Sequence, residues 1–177
     1  MFVVNLQKVC YTKKKERMMI MRAVKKVSDS QTYQQYLIRP AHINPYGRLY
    51  GAQLLEWIDE VAGIVAVRHA NAIVTTAAID NLQFKAPAYC GDLVVLHARV
   101  TYVGRTSMEV RVDTYIEALD GSRKHINRAY IDMVAINNEG AAIEVPSLEL
   151  ETDEQRAEYE AAIKRKEMRK QRRLEDF

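Results

Sequence analysis

Apolar and polar positions along this chain recur at two periods, and the change from one to the other divides the sequence. From about Tyr50 to His69, Leu54, Leu55, Trp57, Ile58, Val61, Ala62, Ile64 and Val65 fall on one broad arc at a period of 3.6 residues. That spacing predicts one long helix, apolar over more than half its girth, which other structure must cover. Its opposite side carries Glu56, Asp59, Glu60, Gly63 and Ala66. Small residues one and two turns beyond Asp59 leave room for something to approach the carboxylate.

After the helix the period drops to two. Ile73 to Lys85, Leu93 to Val103, Met108 to Ala118 and Arg123 to Asn137 all alternate as strands do. In the third of these, Met108, Val110, Val112, Thr114 and Ile116 oppose Glu109, Arg111, Asp113, Tyr115 and Glu117. Gly91-Asp92 turns the chain, and Asp120-Gly121 is a hairpin signal between the last two strands. Before the helix, Gln31 to Arg39 reads as a strand. Pro40 and Pro45 bracket an irregular segment, Ala41 to Gly47. One strand, one buried helix and four long strands joined largely by hairpins predict an α+β fold, an antiparallel sheet wrapped around a single helix. A second helix closes the chain. Thr152 with Gln155 fits a capping box, Asp153 and Glu154 suit the helix start, and Lys164 to Arg173 suits its end. This helix is mostly polar, so its docking does not follow from its pattern.

Composition narrows the class. The chain has 177 residues, 48% of them hydrophobic, which suits one domain with appendages. Its longest unbroken apolar stretch, Val61 to Val67, is far shorter than the roughly 20 residues of a membrane-spanning helix. Cys10 and Cys90 supply neither a disulfide framework nor a metal-binding cluster. Both point to a reducing compartment, and a cytoplasmic location is expected. The net charge of +3 is unevenly spread. Residues 1–30 and 163–173 each carry an excess of six positive charges, and residues 31–148 carry −2. The expected division is therefore a basic extension over residues 1–30, a folded domain over 31–150 and a charged helix over 151–177. Basic ends suit nucleic acid, anionic lipid or an anionic ligand, but a solvated charged face is the preferred reading.

The amino end lacks a basic region followed by an apolar one, so no secretory signal is expected, while its Lys/Arg-rich, acid-poor composition also fits a transit peptide. Lys14-Lys15-Glu16-Arg17 ahead of Met18, Met19 and Met21 is what a translated purine-rich ribosome-binding site would spell. The natural start is accordingly expected at Met19 or Met21.

Motifs exclude several chemistries. The sequence has no GxSxG elbow, HExxH helix, Walker A loop or GxGxxG fingerprint. His42, His69, His97 and His125 are scattered without ligand spacing, and no metal site is expected. Polar chemistry remains around the helix start and in Gly104-Arg105-Thr106-Ser107 between two strands.

Those residues carry a resemblance. Asn44-Pro45-Tyr46-Gly47-Arg48-Leu49-Tyr50-Gly51-Ala52-Gln53, running into Leu54-Leu55-Glu56-Trp57-Ile58-Asp59-Glu60-Val61-Ala62-Gly63, resembles the central-helix entry of hotdog-fold acyl-CoA thioesterases. Val74-Thr75-Thr76-Ala77, Phe84-Lys85-Ala86-Pro87, Gly91-Asp92 and Val103-Gly104-Arg105-Thr106-Ser107-Met108 follow in family order. One departure is Gly51-Ala52 where the family often has Gly-Gly, a change expected to narrow the thioester channel.

The resemblance implies hydrolysis of acyl-CoA to free acid and coenzyme A, with no metal or organic cofactor. It implies dimers joined sheet edge to sheet edge, three dimers stacked in a hexamer, and active sites shared between protomers. On this sequence the site residues are Asn44 from one chain and Asp59 from the other, with the Gly51 amide at the helix start. Thioester hydrolysis needs an activated water and a donor to the developing oxyanion. Asp59 can activate water or attack directly, and both routes stay open. Asn44 can donate from its amide, or simply form an Asx turn before Pro45. Gly104, Arg105, Thr106 and Ser107 are either a strand connection or a site for coenzyme A phosphates. The alternatives are an acyl-CoA-binding sensor without turnover, a dehydratase on the same fold, and a nucleic-acid-binding module. The second relies on a helix-borne His, and this helix has none in its interior; the third lacks a recognisable RNA motif.

Overall fold

The computed structural model describes residues 22–175. A short strand β1 (Val24–Lys26) leads through a single 3-10 turn to β2 (Thr32–Leu37), and a second such turn (Pro40–His42) precedes the long helix α1 (Gly51–Ala70). Four long strands follow, β3 (Ile73–Phe84), β4 (Leu93–Val103), β5 (Ser107–Glu117) and β6 (Arg123–Ile136). Then come a short β7 (Ser147–Glu149) and the helix α2 (Asp153–Leu174). The main sheet is antiparallel in the order β2-β4-β5-β6-β3. Asn71 ends α1 with φ 53°, the left-handed conformation an asparagine tolerates at a helix end.

One face of the sheet holds the core. Leu54, Ile58, Val61, Ala62 and Val65 of α1 pack on Leu96, Ala98, Val110, Val112, Ala129 and Ile131. The apolar arc of the helix and the alternation of the strands meet as the two periods require. Ala66, read as lying on the polar side, is buried as well.

The other face was legible only in part. Glu109, Arg111 and Asp113, polar alternates of β5, are buried, and α2 pairs with the first two through Arg165, Arg169 and Glu158. Glu109 is 0% exposed, yet it accepts from Thr101 Oγ1 at 2.8 Å, Arg165 Nη2 at 2.8 Å and Arg169 Nη1 at 2.9 Å. Asp113, also buried, lies within 3.1 Å of guanidinium nitrogens of Arg99, Arg111 and Arg128. Burial acts to raise its pKa, but Arg128 and Arg111 hold it below the ordinary aspartate value. Asp80 binds Arg169 at 3.0 Å and Arg172 at 2.8 Å. The polar helix thus docks by charge pairing, with Thr152 capping it by accepting from Gln155 N at 3.2 Å.

Three features differ from the sequence reading. β3 and β4 are not hairpin neighbours, since β3 crosses to the far edge and pairs with β6. β1 and β7, too short to show a period, pair in parallel, and Val27 beside them is buried. The boundary expected at residue 30 therefore falls inside the folded unit. The expected start at Met19 or Met21 lies outside the described residues. No described helix is long and apolar enough to cross a membrane.

Candidate active site

Asp59 sits midway along α1 on the side that faces β3. Thr76 Oγ1 donates to Asp59 Oδ1 at 2.7 Å and lies 3.4 Å from Met133 Sδ. A side chain at Gly63, one turn on, would meet nothing within 4 Å, so the space beside the carboxylate is open. β3 is an edge strand, and its register with β6 slips between Thr76 and Ala78 and again between Asp80 and Gln83. Ile73 to Thr76 pair with Ile136 to Met133 in unbroken register before the first slip, so alternation puts Thr76 on the helix-facing side with Val74.

Asn44 lies before α1 in a tight turn. Its Oδ1 accepts from Tyr46 N at 3.0 Å and Arg48 N at 3.2 Å, while Gly47 N donates to Asn44 O at 2.9 Å. Gly47 closes the turn with φ 73°, which favours glycine. Two backbone N–H donors on one side-chain atom identify it as the oxygen, so the carboxamide NH2 points away from the turn. The Asx turn and a donor role are thus compatible: the turn fixes the oxygen and leaves the nitrogen to donate.

Asn44 and Gly51 line one cleft of about 350 Å³, with Leu49, Leu54, Ala88 and Ile126 forming its apolar wall. The first bonds into α1 run from Gln53 N and Leu54 N to Tyr50 O, so the amides of Gly51 and Ala52 come before the ladder begins. A Cβ at Gly51 would touch Phe84 Cζ at 3.4 Å, so the ring lies directly over the helix start. Ala52 is exposed and does not line the cleft, so the Gly51-Ala52 departure leaves this cleft unnarrowed.

Within one chain these groups lie in two separate places. Asp59 is two turns further along α1 than Gly51, roughly 12 Å at 1.5 Å per residue. Gly104 to Ser107 form the β4–β5 turn, tied by Gly104 N to Ser107 O at 2.8 Å, Ala135 N to Thr106 O at 3.0 Å and Val145 N to Arg105 O at 3.1 Å. This turn is on the Asp59 side. Ser107 pairs with Val134 of β6, and the adjacent Met133 pairs with Thr76. The Arg105 side chain is exposed.

Sequence reasoning quoted Thr76 only as part of a motif and gave it no role, and it gave Phe84 none. Thr75 and Thr76 are chemically identical neighbours, and the strand's alternation, which puts Thr76 on the same face as core-packed Val74, decides which one meets Asp59. The histidines stay outside the site. His69 packs at the end of α1, with Nε2 3.0 Å from Pro146 O, and burial lowers its pKa. Among the described residues no group of three or more His, Cys, Asp or Glu is placed to hold a metal ion.

A model of the thioesterase superfamily matches residues 46–119. A Bacillus subtilis protein named as an uncharacterized acyl-CoA thioester hydrolase, YkhA, is 32% identical over 146 residues, covering 82% of this chain and 85% of that protein. The acyl-CoA hydrolase of Staphylococcus aureus, in complex with butyryl coenzyme A, coenzyme A and coenzyme A disulfide, superposes with a TM-score of 0.82. It is 34% identical and covers 86% of this chain and 94% of its own. That enzyme also has structures with alanine in place of one asparagine, an aspartate fifteen residues later and a threonine seventeen beyond it. A hexameric acyl-CoA thioesterase superposes with a TM-score of 0.81 at 40% identity, covering 85% of this chain and 97% of its own.

Proposed function

The chain belongs to the acyl-CoA thioester hydrolases of the thioesterase superfamily, and from that premise we propose how its own residues hydrolyse acyl-CoA to free acid and coenzyme A. Asp59, held by Thr76, orients the attacking water and takes its proton, or attacks the thioester carbonyl itself. The Gly51 amide, at the positive end of α1, stabilises the oxyanion, and the Asn44 NH2 donates to the water or the carbonyl. The coenzyme A thiolate is a good leaving group and needs no histidine acid. The observation that carries this reading is the 2.7 Å bond from Thr76 to Asp59 on an open sheet edge. Asn44, Asp59 and Thr76 also stand at the same two separations, fifteen and seventeen residues, as the three substituted positions of the S. aureus enzyme.

The two half-sites meet if two chains pair along β3. A full-length antiparallel pairing about a twofold axis sets residue 76 of one chain within about three residues of the partner subunit's Phe84. Phe84 is the ring that covers Gly51 beside Asn44. Each dimer then has two sites, with Asp59 and Thr76 from one chain and Asn44 and Gly51 from the other. By likeness to the hexameric relative, three such dimers stack together. The Gly104–Ser107 turn takes the coenzyme A phosphates. We place the protein in the cytoplasm, where an exposed free thiol such as Cys90 stays reduced.

Release of free thiol from a panel of acyl-CoA chain lengths tests the reading. Wild type turns over, and Asp59→Asn and Asn44→Ala do not. Undiminished turnover in Asp59→Asn would reject the mechanism. Tight acyl-CoA binding by wild type without thiol release would make the protein a sensor instead.

A further inference from the structure

Of the α2 lysines, Lys166 is the one seated against the β4–β5 turn. Arg165, Arg169, Arg172 and Arg173 each lie within 4.0 Å of a sheet carboxylate. Lys166, between them in sequence, pairs with no carboxylate among the described residues. Its Nζ lies 3.0 Å from Tyr102 Oη and 4.7 Å from the centre of that ring. This seats the ammonium against Gly104. A Cβ built at Gly104 would lie 3.4 Å from Lys166 Nζ and 3.1 Å from Ser107 Oγ. The missing side chain is thus a gap between a cation and a hydroxyl.

The same turn gathers two further cations. Arg22 donates to the carbonyls of Gly104 and Val145, and Arg105 extends from the turn with its side chain exposed. Neither pairs with a carboxylate among the described residues. Three cations, none within 4.0 Å of a carboxylate among the described residues, surround one four-residue turn and form a site for a multiply charged anion, with Asp132 the carboxylate that Lys166 influences from further off.

We propose that Lys166 completes a phosphate-binding site with Arg105 and the Ser107 hydroxyl, which makes the C-terminal helix part of the acyl-CoA site. This rests on the thioesterase reading. Placement fits: β5 and β3 are two strand spacings apart, roughly 10 Å, so the turn lies that far from the strand carrying Thr76. The extended pantetheine arm of coenzyme A bridges such a gap between thioester and phosphates. The glycine also has a reason here, since any side chain at position 104 would fill the space between ammonium and hydroxyl.

The test compares acyl-CoA with the matching acyl-pantetheine, which has the same thioester and no phosphate. In the full chain, Lys166→Met raises KM for acyl-CoA about tenfold at low salt, a loss of one contact worth about 1.4 kcal/mol. It leaves kcat and both constants for acyl-pantetheine unchanged, and Lys166→Arg restores KM to within about threefold. A general disturbance of α2 would move both substrates together, and that result overturns the proposal, as does an unchanged KM for acyl-CoA. If wild type releases thiol from neither substrate, the thioesterase reading fails first. Calorimetric titration with coenzyme A then decides: a Kd about tenfold weaker in Lys166→Met supports the site, and an equal Kd overturns it.

Discussion

Replacing Thr76 by valine exchanges one hydroxyl for a methyl and changes almost nothing else. The side chain is exposed and keeps its branched shape, so folding stability should move by no more than about 0.5 kcal/mol. What is lost is the 2.7 Å donor to Asp59 Oδ1, the only hydrogen bond to this carboxylate among the described residues. A hydrogen bond to a charged group contributes about 1.5–3 kcal/mol. If that energy holds the carboxylate in its reactive orientation, kcat falls by roughly 10- to 150-fold, at one decade per 1.36 kcal/mol. KM should change little, because the Thr76 hydroxyl holds the Asp59 carboxylate and not the substrate. Thr76→Ser keeps the donor and should stay within about threefold of wild type. Steady-state thiol release measures both constants, with thermal unfolding as the control for stability. A Thr76→Val enzyme with wild-type kcat would refute the view that this contact orients the reacting group.

Two further outcomes test the packing that supports the site. Glu109→Gln leaves Arg165 and Arg169 facing a neutral amide, and breaking a buried ion pair costs about 3 kcal/mol or more. At about 2–4 °C per kcal/mol for a chain of this size, Tm should fall by roughly 6–12 °C. Amide exchange across 153–174 should accelerate, and a Tm within about 2 °C of wild type would mean α2 is held by something else. His97 supplies a pH dependence. Burial, with Arg99 beside it, pushes the imidazole down to about 4, below the 6.5 of an exposed histidine. Between those values the unfolded chain binds a proton that the folded one does not. Stability is therefore complete above pH 6.5 and declines as pH falls toward 4. The full shift corresponds to about 3 kcal/mol, and solvent screening reduces it to about 1. Tm measured from pH 7 to pH 5 should fall, and His97→Phe should flatten that slope; parallel curves would contradict the assignment.

The helix and the long strands were legible because each is long enough for its period to repeat. Leu93–Val103 shows five alternations, and α1 shows five turns of one apolar stripe. β1 and β7 have three residues each, too few for any period, and they pair across more than a hundred residues of sequence. The seat of α2 was hidden for another reason. A stripe of arginines reads as a solvated face until its partners are known, and Asp80, Glu109 and Asp132 lie about 40 to 90 residues away on three different strands. The same distance effect hid Lys166 beside Gly104. Asn44, Gly51 and Asp59 were legible through the resemblance of the helix-entry motif, and only Asp59 was also marked by its own surroundings, the small residues Gly63 and Ala66 on its side of the helix. Thr76 did not, because which face of β3 meets α1, and so which of Thr75 and Thr76 reaches Asp59, is set by the fold and not by composition.

The central claim is that one site is built from two chains, Asn44 on one and Asp59 on the other. Mixing the two inactive variants tests it most directly. Asn44→Ala and Asp59→Asn are unfolded together, refolded as a mixture and assayed for thiol release. Random pairing makes half the dimers mixed, and each mixed dimer has one site with both residues intact. Roughly a quarter of wild-type turnover should return. A mixture no more active than its two parents would contradict the shared site and return Asn44 and Asp59 to a single chain.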